Sequence, residues 1–279
     1  MPAKSSVPSS SKRPKSRGTR SAPAVTLSAC VITLNEEKRI QACLESLSFA
    51  DEIIVLDSHS KDRTREIARR MGARVHTHAF DGFVAQKNRV LKMVRGRWTL
   101  IIDADEIVTP ELREEILGVI RDPEALNCVA YRMPRMSYYL HRWIKHCGWY
   151  PECKTRLFQS GKARYAGGVV HEILKPEGPV GYLKGRLEHY SYESISDHLK
   201  RIDYYSTLIA QDKFRRGRGS SPLWAIGKSF SKFFITYFLR LGFLDGRAGL
   251  VISVLAGYYN FLKYVKLWEL NKGYAKLDD

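Results

Sequence analysis

No glycine occurs from Val25 to Glu36, the stretch that reads as the first apolar strand and the turn after it. That absence excludes the GxGxxG and GxxxxGK[ST] phosphate loops that would open a dinucleotide-binding or P-loop domain. A nucleotide bound here must be held by carboxylates on base and ribose and by a cation on its phosphates. No CxxC pair occurs among Cys30, Cys43, Cys128, Cys147 and Cys153. An odd count without a secretory signal argues against a disulfide framework and for a reducing compartment. Cys30 lies in an apolar strand and Cys43 in a helical pattern, where cysteine behaves as a small hydrophobe. A disulfide or metal role is weighed only for Cys147 and Cys153. Residues 1–24 have no apolar core of the kind a signal peptide needs. They hold six Lys or Arg, no acid, and much Ser and Pro, which reads as a disordered basic tail. The segment Ala248–Leu262 has 15 uncharged residues, short of the ~17–25 that a membrane span requires. No internal repeat is visible.

What is present is an alternation. Apolar strands are expected at Val25–Thr33, Asp51–Asp57, Ala73–His78 and Trp98–Asp103. Helices are expected at Glu37–Leu47, Asp62–Met71, Val84–Val94 and Pro110–Ile120. This βα order predicts an α/β fold, a mostly parallel sheet flanked by helices with right-handed crossovers. Beyond Asn127 strands are expected at Cys128–Met133, Thr155–Phe158 and Gly185–His189, around an aromatic, basic stretch from Pro134 to Tyr150. From Ser194 the pattern is helical. The net charge is +17, with +6 in residues 1–24 and +7 in residues 196–279. The basic excess therefore sits at the two ends, which suits an anionic membrane surface better than nucleic acid. Phe230, Phe233, Phe234, Tyr237, Phe238 and Leu241 share one helical face, with Lys228, Lys232 and Arg240 off it, an interfacial pattern. The division read from this is a tail at 1–24, an α/β catalytic domain at 25–195 and a helical, membrane-associating region at 196–279.

Four polar clusters follow in order: Thr33–Glu36, Asp57–Thr64, Asp103–Glu106 and Gly167–Glu172. Polar groups at successive parallel strand ends converge on one crevice. Asp103 and Asp105 leave their strand on the same side, where Mg2+ or Mn2+ can be shared with a diphosphate. Each cluster also has a plainer reading. Asn35, Ser60 and Asp62 are good helix caps, Thr109-Pro110-Glu111 is a good helix start, and His171-Glu172 fits a solvated turn.

The run Val31-Ile32-Thr33-Leu34-Asn35-Glu36, the block Asp57-Ser58-x-Ser60-x-Asp62-x-Thr64, Gln86-Lys87-Asn88 and Asp103-Ala104-Asp105-Glu106 resemble family 2 glycosyltransferases of the GT-A fold. The resemblance spans Val25 to about Lys200. Leu241–Gly246, Tyr258–Lys263 and Trp268-Glu269 are similar to the C-terminal part of bacterial lipopolysaccharide-core glucosyltransferases that modify inner-core heptose. The resemblance implies a nucleotide-sugar donor, UDP-glucose above others, a divalent metal and inversion at the anomeric carbon. It also implies a glycolipid acceptor and a cytoplasmic, peripheral position at the inner face of the inner membrane. Asp105, helped by Asp103, is assigned to the metal. Glu172 is assigned as catalytic base, since it follows a glycine pair and matches the family's Val-His-Glu position, with Glu188 and Glu152 as alternatives. His171 is assigned to the metal or phosphate, against a purely structural role. Asn35 and Glu36 are assigned to the nucleoside, Lys87 and Asn88 to donor positioning, and Arg156 to a phosphate. Many members carry two adjacent aspartates after the second strand. Here the second is Ser58, so Asp57 alone is carried over as a base or ribose contact, and His59 has no role.

Two rivals remain. A nucleotidyltransferase on a sugar phosphate shares the sheet and acidic site, but that class opens with a glycine-rich loop. A non-enzymatic basic membrane- or RNA-binding module would make the acidic clusters mere caps. The stretch Tyr138–Tyr150 reads either as a platform for sugar rings or as a packed hydrophobic flap.

Overall fold

The computed structural model describes residues 25–122, 127–167, 172–275 and 277. The expected basic tail at 1–24 and His171 lie outside the described residues. The first half alternates as its sequence pattern dictates: β1 (Leu27–Thr33), α1 (Ile40–Ser46), β2 (Glu52–Asp57), α2 (Thr64–Arg70), β3 (Arg74–Thr77), α3 (Phe83–Leu91) and β4 (Trp98–Asp103). A short β5 (Glu106–Val108) and α4 (Pro110–Arg121) follow. Thr109 caps α4 through its hydroxyl, which accepts from the Leu112 N–H, and Pro110 supplies the fixed first turn.

The second half is richer in strand than the sequence suggests. β6 (Ala130–Tyr139) outruns its expected end at Met133. β7 (Arg142–Trp143), β8 (Glu152–Gln159), β9 (Ala163–Gly167), β10 (Glu172–Pro176), β11 (Val180–Tyr182) and β12 (Leu187–His189) follow. The main path runs β3-β2-β1-β4-β8-β6-β12-β5. Its first four strands are parallel. Beyond β4 the sheet is mixed, since β8 is antiparallel to both β4 and β6 while β12 runs parallel to β6. β1 and β4 are buried almost throughout, which is why they read as unbroken apolar runs rather than alternating ones. Leu27, Ala29 and Val31 face one core with Leu44 and Leu100, while Cys30 faces the other with Ile54 and Ile101.

Three helices, α5 (Ile195–Arg215), α6 (Pro222–Phe234) and α7 (Gly246–Asn271), form a layer against the aromatic segment of β6 and β7. A π-helical turn (Ile235–Leu239) and a 3-10 turn (Gly242–Asp245) link α6 to α7. Local chemistry fixes this corner. Gly246 takes φ +59°, and a Cβ on Gly249 would meet the Gly242 carbonyl oxygen at 1.8 Å. The buried Asp245 carboxylate accepts from the backbone N–H groups of Lys145 (3.2 Å) and His146 (2.8 Å). The Leu241–Gly246 motif is thus the clamp that ties the helical layer to the loop after β7.

One expectation changes, the length of the apolar helix. Ala248–Leu262 is only the middle of a 26-residue helix, and the stretch Gly242–Asn271 is long and apolar enough to cross a membrane by length and composition. It packs through Ala248, Ile252, Leu255 and Leu267 into its own layer. The face containing Phe230, Phe234 and Phe238 points outward, as its interfacial pattern requires. All five cysteines are free, so neither Cys147 nor Cys153 is bridged.

Candidate active site

The parallel strand ends are knitted together before they reach the cleft. The Ser60 hydroxyl accepts from the Asn35 N–H at 2.8 Å, and the Asn35 side chain accepts from the Lys61 N–H at 2.8 Å. Thr64 and Asp62 accept from the N–H groups of Glu36 and Glu37. Asn35, Ser60 and Asp62, whose plainer reading is a helix cap, here join the loop after β1 to the loop after β2. Asp57 sits fully buried beneath them and accepts from both the N–H and the hydroxyl of Ser60. The neighbouring Ser58, not Asp57, lines the cleft. Asn88 also has a structural place, because both ends of its amide bond the backbone of Tyr165 at 2.9 Å and clamp α3 to β9.

The remaining described candidates converge. Glu36, Lys87, Asp103, Asp105 and Glu172 all line one cleft of about 560 Å³ at the carboxyl end of β1 and β4. That size is ordinary for a small-molecule site. Lys87 is buried and lies 3.2 Å from Asp103 Oδ1 and 3.0 Å from Glu172 Oε1, bridging the two acids. Asp103 Oδ2 meets Arg156 at 2.6 Å. Arg156 also binds the fully buried Glu106 at 2.7 Å, and Arg135 reaches Glu106 at 3.1 Å. Buried carboxylates survive only when paired in this way. Burial works against the charge on Asp103, but Arg156 and Lys87 override it and hold its carboxyl well below the usual range. The carboxyl of Glu36 is pushed up by burial and by the charge of Asp105, which Arg39 offsets only in part.

Asp105 has a different partner, and the sequence did not point to it. β12 pairs antiparallel with β5, setting His189 opposite Glu106. This register carries His189 Nε2 to 3.3 Å from Asp105 Oδ2. On its other side, His189 Nδ1 lies 2.7 Å from the Ser191 hydroxyl, which fixes the ring. Burial opposes the charge on Asp105, and the bond with His189 brings its carboxyl below the ordinary value. The signal was a histidine ending a short strand after Leu187, the same mark that singled out Asp103. Arg201, Tyr204 and Tyr205 of α5 close the far wall and were also missed.

Of the expected metal set, Asp103 and Asp105 are described and line the cleft. Two cations hold Asp103, and His171 is outside the described residues. Among the described residues no group of three His, Cys, Asp or Glu has a metal-holding arrangement. Asp105 with His189 still fits a cation, because Mg2+ and Mn2+ take one or two protein ligands and complete their shell with phosphate oxygens and water. Glu152 and Glu188, the alternative bases, do not line the cleft. Glu152 binds Arg135 and Lys154. The aromatic stretch packs on itself: Tyr138 and Trp143 lie 5.0 Å apart, and Tyr139 and Trp149 5.6 Å. It is a packed flap whose members stay out of the cleft lining.

A family model described as glycosyl transferase family 2 matches residues 28–172. An uncharacterized glycosyltransferase of Rickettsia bellii is 31% identical over 258 residues, which cover 88% of this chain and 87% of the relative. The lipopolysaccharide core biosynthesis glycosyltransferase LpsC of Rhizobium meliloti is 29% identical over 279 residues, covering 92% and 98%. Glucosyl-3-phosphoglycerate synthase from Mycobacterium tuberculosis, solved with Mn2+, uridine diphosphate and glucosyl-3-phosphoglycerate, is 20% identical. That match covers 71% of this chain and 82% of the other, with a TM-score of 0.46.

Proposed function

The chain belongs to glycosyl transferase family 2, and from that premise we propose that it moves a sugar from a nucleoside-diphosphate donor to a glycolipid acceptor with inversion. Glucose from UDP-glucose is the donor that the C-terminal resemblance favours. Lipopolysaccharide core is the acceptor that the name of the Rhizobium meliloti relative supports. The single observation that carries the reading is the meeting of Asp103, Asp105, Lys87 and Glu172 in one cleft at the exit of β4.

Asp105 and His189 would hold Mg2+ or Mn2+, which, when bound, supplies positive charge against the donor diphosphate. Asp103 has another task. Paired to Lys87 and Arg156, it keeps both cations fixed at the cleft floor. Arg201 adds a further positive charge on the α5 wall. Fixed cations favour a leaving group that gains negative charge, at no cost of reorganisation. Glu172 takes the proton from the acceptor hydroxyl. Glu36 and Ser58 contact the nucleoside, while Asn35, Asp57 and Asn88 position the loops that carry them.

Residues 25–195 act as the catalytic domain and 196–279 as the region that meets the inner face of the cytoplasmic membrane. The exposed face of α6 supports this, with Leu223 82% and Phe230 71% exposed and Trp224, under the Lys228 ammonium, at its flank. An apolar, aromatic helix face flanked by lysines suits an anionic lipid surface.

The test is product identity by phosphorus NMR, with purified chain, Mn2+, a panel of nucleotide-sugars and extracted lipopolysaccharide acceptors. Uridine diphosphate and a lengthened acceptor are expected. Pyrophosphate among the products would mean nucleotidyl transfer instead. Sedimentation with phosphatidylglycerol vesicles at low salt accompanies it, and a chain that stays in the supernatant contradicts the membrane assignment.

A further inference from the structure

A second cavity, about 310 Å³, opens behind the cleft and shares Tyr192, Arg201 and Tyr205 with it. Ile252 and Leu255 of α7 line it, and Lys232 of α6 and Tyr259 of α7 also face it. Lys232 of α6 is the lysine in its lining, and three further half-buried lysines, Lys213 of α5, Lys228 of α6 and Lys263 of α7, lie on the same three helices. Lys213 and Lys263 lie over the same ring, 5.4 and 4.9 Å from the centroid of Tyr264. Lys263 also lies 5.6 Å from the Tyr259 centroid. Its ammonium donates to the Asn260 side chain at 2.6 Å. Among the described residues none of the four meets a carboxylate at ion-pair distance, whereas nearby Lys266 binds Asp203 at 2.6 Å.

A solvated basic face is the ordinary fate of surface lysines. Here burial and the charges of Lys213, Lys232 and Lys228 together press the Lys263 ammonium down to about 8. Like charges crowded among aromatic rings without a counter-charge destabilise one another. An anion that seats among them removes that repulsion and gains charge-assisted hydrogen bonds. Phosphate carries both the charge and the oxygens to do so.

We propose that this lysine notch, joined to the cleft through Tyr205 and Arg201, is an acceptor subsite that holds a phosphoryl group while the acceptor hydroxyl lies at Glu172. The inference rests on the glycosyl-transfer reading of the cleft and adds the chemical class of its acceptor, a phosphorylated amphiphile.

The test titrates the full chain with dodecyl phosphate below its micellar concentration, with UDP-glucose and Mn2+, and with phosphatidylglycerol vesicles. Lys232→Gln and Lys263→Gln are each expected to weaken dodecyl phosphate about tenfold and to leave UDP-glucose affinity unchanged, which also shows that the variants fold. Unchanged dodecyl phosphate affinity in the double variant overturns the proposal. So does a loss confined to vesicles, which would make the notch a contact for bilayer headgroups. A chain that binds UDP-glucose but not dodecyl phosphate loses the subsite alone. One that binds dodecyl phosphate through these lysines but no nucleotide-sugar keeps the subsite and loses the glycosyl-transfer reading.

Discussion

Asp105→Asn is expected to lower kcat by about 10²–10³, the range found when one preorganised electrostatic group is removed from a reacting centre, with little change in melting temperature. The substitution keeps shape and hydrogen bonding to His189 while deleting the charge. Among the described residues the ion-pair partner of Asp105 is a histidine, and no lysine or arginine is at ion-pair distance from it, so its loss strands less charge than that of Asp103. Asp103 gives the contrast. Lys87 and Arg156 both lean on it, and removing one partner of a buried pair costs about 3 kcal/mol or more. Asp103→Asn should therefore reduce stability as well as activity. Initial rates and thermal unfolding on both variants check the pair of outcomes. Full activity in Asp105→Asn contradicts the role given to that carboxylate.

Glu172→Gln is expected to lower kcat by about 10²–10⁴, the usual contribution of a positioned base, while UDP-glucose affinity stays within about twofold, a difference of roughly half a kcal/mol. The amide keeps the size of the side chain but cannot take the acceptor proton. Lys87 retains its bond to Asp103, so the cleft floor holds. Single-turnover rates and donor titration separate the two effects. Normal turnover would move the base elsewhere. Glu36 is then the next candidate, because it lines the same cleft and burial together with Asp105 raises its carboxyl.

Much of the catalytic half was legible because its signals are local. Trp98–Asp103 is an apolar run that meets acids, and the strand begins and ends where that pattern does. Lys87 and Glu172, far apart in sequence, were both nominated and do share the cleft. What was not legible depends on non-local register. His189 reaches Asp105 only because β12 pairs with β5, and neither the existence of β5 nor the direction of that pairing shows in three residues of sequence. Asp57 and Asn88 carry the right chemistry at the right strand ends and helices, yet their side chains close on Ser60 and Tyr165. Sequence pattern marks which polar residues sit near an edge, and packing decides which of them face inward. The C-terminal aromatic face illustrates the same limit, since its period fits a buried stripe as well as an exposed one.

Diffraction from crystals of the full chain grown with uridine diphosphate and Mn2+ tests the central claim most directly, through the anomalous signal of the ion. The ion is expected at Asp105 beside His189, with the diphosphate in the cleft at the exit of β4. A nucleotide bound outside the cleft, or a diphosphate turned away from the exit of β4, contradicts the claim.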